Sequence, residues 1–174
     1  MKHLYLSLAV IFCFASNIIF SQVGIGTSTV NNKAILEFGS ENKGIILPWV
    51  TSAASVVSPS GGMLIFDSDD KKVKYFNDNT NTWIDMSITS GAVDTSIQDS
   101  FAEQSSNSKT IIGSPTTTKT GVLVLESSEK ALMLPKVADV TVNFPNPEPG
   151  TMVYDTFRKK IAVYNGLVWS FWGE

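Results

Sequence analysis

The chain of 174 residues is short of the side chains that most enzymes depend on. It has one cysteine, Cys13, one histidine, His3, and 17% charged residues. Both reactive residues fall within the first 21 positions, where Met1, Lys2 and His3 precede an apolar run from Leu4 to Phe20 and then Ser21. A basic start, an apolar stretch and a small residue form a signal peptide pattern, with cleavage expected between Ser21 and Gln22. A retained membrane anchor is the rival reading, because the run approaches the length that spans a bilayer. Val10, Ile11 and Phe12 ahead of Cys13 are not the small residues of a lipoprotein cleavage site.

Removing residues 1–21 leaves 153 residues with neither Cys nor His, and with 12 basic against 16 acidic side chains, a net charge of −4. Such a chain has no Ser-His-Asp or Cys-His constellation, none of the usual zinc, haem or iron–sulfur ligands, and no disulfide. The acidic balance argues against nucleic acid as a partner. No pair among the sixteen acids stands in an apolar setting of the kind that raises a catalytic pKa. The reading is therefore non-enzymatic, with no cofactor and no metal.

What the chain does have is an internal repeat. Residues 34–50 (AILEFGSENKGIILPWV) align with 121–137 (GVLVLESSEKALMLPKV), placing Pro48 on Pro135. After a glycine turn, residues 62–77 (GMLIFDSDDKKVKYFN) align with 150–165 (GTMVYDTFRKKIAVYN), and Trp83 falls on Trp169. Val23 to Ser28 (VGIGTS) resembles Ile111 to Pro115 (IIGSP), which has one glycine fewer. The fold class expected is all-β. Two small β-meander units of roughly 65 residues each, at 22–87 and 111–174, are joined by a Ser/Thr-rich linker at 88–110.

Alternation assigns the faces of each meander. Leu64, Phe66, Val73 and Tyr75 share a core face, matched by Met152, Tyr154, Ile161 and Val163. The opposite face holds Met63, Ile65, Lys74 and Phe76, matched by Thr151, Val153, Ala162 and Tyr164, and is too apolar to be fully solvated. Its expected cover is the sister unit, the run ending at Leu47 or Leu134, or another copy. Asn165-Gly166 reads as a type I′ turn. In the linker, Val93, Ile97 and Phe101 recur at spacing four with Asp94 near the start as a candidate cap, which allows either a short helix or an irregular segment. Units this small, without disulfide or metal and with open sheet edges, point to self-association.

The blocks VGIGT (23–27), KGIILP (43–48), GMLIFD (62–67), GTMVYD (150–155) and VYNGLVW (163–169) resemble a repeat of secreted Bacteroidota proteins and phage tail-fibre tips. That repeat has the general form VGIGT, then KGLLLPR, then GLxVYNT and YYNGxxW. The resemblance implies a β-rich, fibre-like surface or envelope protein and assigns no catalytic residue. Trp49 and Lys136 stand where the repeat has Arg after Pro, and Val30 where it has Pro, so a role resting on that Arg does not carry over.

Candidate sites follow from what remains. The glycines of Val23 to Thr27 lack the pattern of a phosphate loop and suit a tight chain crossing. Asp67, Asp69, Asp70 and Asp78 read as a solvated hairpin turn, with calcium as the alternative, but Lys72 replaces the glycine such a loop needs and the cluster is absent from the second unit. Trp83 and Trp169 are expected to cover the core of each unit. Trp49 and Trp172, which lack Trp counterparts, are candidates for binding a glycan or a protein. Ile65, Phe76, Val153 and Tyr164 are candidates for assembly. The expected function is an exported structural or adhesive component of the periplasm, outer membrane or cell exterior, acting by self-association or through an envelope partner. A glycan-binding module and an accessory subunit of an outer-membrane complex are the alternatives. Membrane contact is expected only through an uncleaved signal segment.

Overall fold

A computed structural model describes residues 22–39, 41–96 and 109–173. The signal segment, and the Ile97 and Phe101 positions on which the helical reading of the linker rests, lie outside the described residues. The first unit contains β1 (Val23–Ile25), β2 (Ala34–Phe38), β3 (Ile45–Ile46), β4 (Trp49–Val50), a 3-10 turn (Ala53–Ser55), β5 (Leu64–Asp67), β6 (Lys72–Asn77) and β7 (Thr82–Asp85). The second contains β8 (Thr110–Ile112), β9 (Leu123–Leu125), β10 (Ala131–Met133), β11 (Lys136–Val137), a one-turn helix α1 (Val140–Asn143), β12 (Thr151–Asp155), β13 (Lys160–Tyr164) and β14 (Trp169–Trp172). The all-β expectation holds, with α1 the lone α-helix among the described residues.

Each unit opens with a parallel coil, β1 beside β2 and β8 beside β9. The same hydrogen bond closes both: Gly39 N–H donates to Ile25 O at 2.8 Å, and Glu126 N–H to Ile112 O at 2.9 Å. A Cβ on Gly39 would stand 2.0 Å from Gly26 O, so this crossing admits only glycine. Each unit then forms an antiparallel meander, β5-β6-β7 or β12-β13-β14, with a short parallel strand, β4 or β11, on its first edge. The hairpin turns are alike: Lys71 and Lys159 both take left-handed backbone, φ 57° and 56°.

The assigned core faces meet each other. Phe66, Val73, Leu47 and Met86 of the first unit bury against Met152 and Val163 of the second, with Leu64, Tyr75, Leu134 and Ile161 around them. Neither meander has a core of its own on this side; the two make one. The opposite face of the second sheet is covered by its own chain, where Val137 and Val140 pack on Val153 and Ala162 beneath Phe144, Trp169 and Phe171. Trp169 thus covers this second cluster rather than the shared core, and Trp83 packs edge-on against Phe76 on the corresponding face, ring centroids 5.2 Å apart.

One turn expectation is corrected. Asn165-Gly166 does not form a two-residue type I′ turn, since Tyr164 pairs with Trp169 across a four-residue loop. The Asn165 side chain is fully buried, and its Oδ1 accepts from Leu167 and Val168 N–H, so an Asx turn satisfies the loop. The start of the linker, residues 88–96, is irregular in backbone but not free. Ala92 N–H donates to Asn165 O, Gly91 N–H to Lys71 O and Ile88 N–H to Ser170 Oγ, while Val93 packs on the shared core.

The last residue of each first meander strand anchors the covering segment. Asp67 was expected in a solvated turn, yet it is 2% exposed and accepts from Ala53, Asp69 and Asp70 N–H. Asp155 is fully buried and accepts from Val140, Phe157 and Arg158 N–H. Each carboxylate also meets a cation, Lys74 Nζ at 3.1 Å and Arg158 Nη1 at 2.8 Å. The cation occupies different positions in the two units. The Asp70 and Lys74 of the first unit are Arg158 and Ala162 in the second, so the charge has moved from strand to turn.

Burial raises the pKa of both carboxyls, but the donated N–H groups and the cations outweigh it and hold both below the ordinary value of 3.8. For Lys74 burial pulls the pKa down, and the bonds to Asp70 and Asp67 overcome it, leaving the ammonium raised. Carboxyl groups depressed in the folded state stabilise it fully above their unfolded pKa and lose that contribution as the pH falls through the folded one. The urea midpoint is therefore expected to drop as the pH is taken below about 4, and the double variant Asp67→Asn, Asp155→Asn to flatten that dependence. Asp155→Ala, which strands three N–H groups and leaves Arg158 with Asp139 as its one remaining carboxylate, should cost about 3 kcal/mol in urea unfolding.

Candidate assembly interface

The units exchange strands. β3 of the first unit pairs antiparallel with β12 of the second, Ile46 beside Thr151 and Ile45 beside Met152, and Leu47 N–H donates to Gly150 O at 3.1 Å. In return β10 of the second unit pairs parallel with β2 of the first, Leu132 beside Leu36 and Met133 beside Glu37, and Ala131 N–H donates to Lys33 O. Open sheet edges are templates for pairing, and here each unit closes an edge of the other.

Two tryptophans lock the exchange. Trp49 donates its indole N–H to Pro149 O at 2.8 Å and leans on Phe66, with ring centroids 5.9 Å apart. Trp172 donates to Met86 O at 2.5 Å and stands edge-on to Tyr75 at 6.2 Å. Each ring reaches from one unit to the other, and both indole donors are satisfied within the chain. That placement accounts for the absence of Trp at the counterparts, Lys136 and Met86: the two crossings are made by different positions of the repeat.

The other candidate residues are not brought together on a free face. Ile65, Phe76 and Val153 are buried, and a Cβ on Gly44 would stand 2.8 Å from the Val153 methyl. Tyr164 is half-buried with its ring 5.2 Å from that of Trp169. The expectation of assembly through the half-apolar sheet face is therefore corrected: the chain covers that face itself, because the segments after Pro48 and Pro135 fold back over it. Among the described residues no group of three or more His, Cys, Asp or Glu could hold a metal ion. The carboxylates of Asp67 and Asp70 are engaged by Lys74.

Repetition exposes what single-residue reading missed. Ile35 and Leu36 on β2 are 3% and 1% exposed, whereas their counterparts Val122 and Leu123 are 60% and 45% exposed. The pairs are chemically alike, so the difference is one of partner: β10 covers β2, and among the described residues no strand lies on the corresponding edge of β9. Glycine turns show the same asymmetry. A Cβ on Gly150 would meet Phe66 Cβ at 3.0 Å and Trp49 Nε1 at 3.3 Å, whereas one on Gly62 meets nothing within 4 Å. Ile46 and Leu132, on the exchanged strands, also keep large exposed side chains. Comparing burial between the aligned units is the signal that finds these positions.

Both glycines have φ above +80°, so alanine is strained at either. Gly150→Ala adds a collision with the neighbouring unit, and in dilute solution it is expected to cost about 1–3 kcal/mol more than Gly62→Ala by urea unfolding.

A family of known regions matches the chain twice. The phage tail like trimerisation region matches residues 24–101 and again residues 111–173, one match to each unit. No curated protein and no solved structure matches the chain. The double match covers most of the sequence and falls once over each unit of the repeat, and it supports a structural, self-associating role. The chain belongs to the phage tail like trimerisation region family, with one copy of the region in each of its two units.

Proposed function

We propose that this protein is an exported structural component of the cell envelope or exterior, which builds a trimeric, fibre-like assembly and works by contact rather than by catalysis. The observation that carries the reading is the double family match laid over two units that each leave apolar strand edges open. A trimerisation region is an assembly device, and the chemistry available to the chain after residue 21 lacks thiol and imidazole groups. Export is supported by the signal peptide pattern of residues 1–21, and a surface location by the resemblance of the repeat to secreted Bacteroidota proteins. The glycan-binding alternative has less support, since Trp49 and Trp172 spend their polar atoms holding the units together. An envelope protein partner would join this assembly at surfaces other than the shared core.

Sedimentation analysis of the purified chain is expected to give the mass of three copies, and a compact monomer at every accessible concentration would overturn the reading. Fractionation of the producing cell, with N-terminal sequencing of the product, is expected to find the chain outside the cytoplasm and starting at Gln22. A cytoplasmic chain that retains Met1 would overturn the export part alone.

A further inference from the structure

Both units contribute their core face to the contact between them, but the strand pairing along its rim is head-to-tail, with each unit using a different edge. The first unit presents the edge of β2, the β3 strand and the Trp49 and Phe66 surface. The second presents β10, the start of β12 and Gly150. Because the units are copies, each also carries the edge its sister uses, and among the described residues no strand pairs with that edge. On the second unit this is the edge of β9, with Val122 and Leu123 exposed. On the first it is the start of β5 around Met63 and Leu64, ahead of the point at Phe66 where β4 begins to pair, with Gly62 facing open space. A two-fold contact would have used equivalent surfaces on both sides and left neither half over; a heterologous one leaves one complementary half at each end.

We propose that a second copy of this chain docks on the first by repeating, at these open edges, the strand pairing between its own two units, and that three copies close a ring of six units. The proposal rests on the trimeric reading above and adds the surfaces and the register. Transferring the observed pairing, Ile45 and Ile46 of one copy lie parallel beside Leu123 and Val124 of its neighbour, as Leu132 and Met133 lie beside Leu36 and Glu37. Met63 and Leu64 of the first copy lie antiparallel beside Met133 and Leu132 of the neighbour, as Thr151 and Met152 lie beside Ile46 and Ile45. Both strand exchanges fall between the same two units, so one docking event satisfies both edges. It also covers Ile46, Val122, Leu123 and Leu132, which account for much of the large apolar surface left open near the strand edges. Closure after three copies follows from the family's trimeric habit, since a head-to-tail contact either closes or runs on as a filament.

The register is tested by disulfide trapping in the full-length chain with Cys13→Ser, which removes the only native thiol. Directly opposed antiparallel residues bring their Cβ atoms within about 4.5–5.5 Å, close enough for a disulfide after small adjustment. The Met63→Cys, Met133→Cys double variant is expected to give, on oxidation, a denaturing-gel ladder that stops at three chains. Each single variant should stay monomeric, and a mixture of the two singles should stop at two. Leu123→Lys places a charge on an edge that is open in the chain alone. It should leave the far-ultraviolet circular dichroism unchanged while raising the concentration for half-assembly at least about tenfold. A trimer by sedimentation that yields no cross-link between chains, or one within a single chain only, would overturn the proposed surfaces while leaving the trimeric reading intact. A ladder running past three chains would overturn ring closure. A monomeric parent would overturn both.

Discussion

The exchange of strands between the two units is the constraint on which the rest of the structure depends. A three-stranded meander with one short parallel edge has too little apolar surface to fold alone, and it carries open backbone on its first strand. Pairing β3 with β12 and β10 with β2 closes those edges and presses two core faces together, so that Phe66 and Val73 share one interior with Met152 and Val163. The tryptophan crossings and the pinned segment from Ile88 to Val93 follow from that arrangement. They can form only where the two sheets already face each other.

Buried carboxylates serve a second, local purpose. A covering segment such as α1 or the 3-10 turn at Ala53 brings its own unpaired N–H groups, and a buried polar group without a partner is costly. Asp67 and Asp155 accept those groups and simultaneously cap the adjacent hairpin turn. The donated N–H groups do most to hold each carboxylate charged, and a cation adds to them from a source that is free to vary, as the change from Lys74 to Arg158 demonstrates. The aspartates are common to both units, while the cation is supplied from whichever neighbouring position reaches the carboxylate.

Much of the architecture was legible from alternation and self-similarity. The meander faces and the tight glycine crossing at the start of each unit are local consequences of residue order. The second cover was not legible. Ile65, Phe76 and Val153 alternate like residues of a half-solvated face, and nothing in their spacing says that the chain after Pro48 or Pro135 returns over them. Asp67 misled for a related reason. A run of Asp, Ser and Lys reads as a surface turn, and only the arrival of Ala53 N–H and Lys74 Nζ makes one member of that run interior. Trp49 and Trp172 attracted attention as unmatched aromatics, and their actual use, as reciprocal bridges, required knowing which carbonyl each indole faces.

By itself the sequence determined the repeat, the all-β character, the absence of thiol and imidazole chemistry beyond residue 21, and the division of each meander into two faces. These follow from residue type and a period of two, which operate over a few residues. Only the tertiary structure decided which unit covers which edge, and hence that Leu36 is buried while its counterpart Leu123 is exposed. Two nearly identical strands carry the same local information. What separates them is whether a distant segment arrives to pair, and that depends on where the rest of the chain has already been placed.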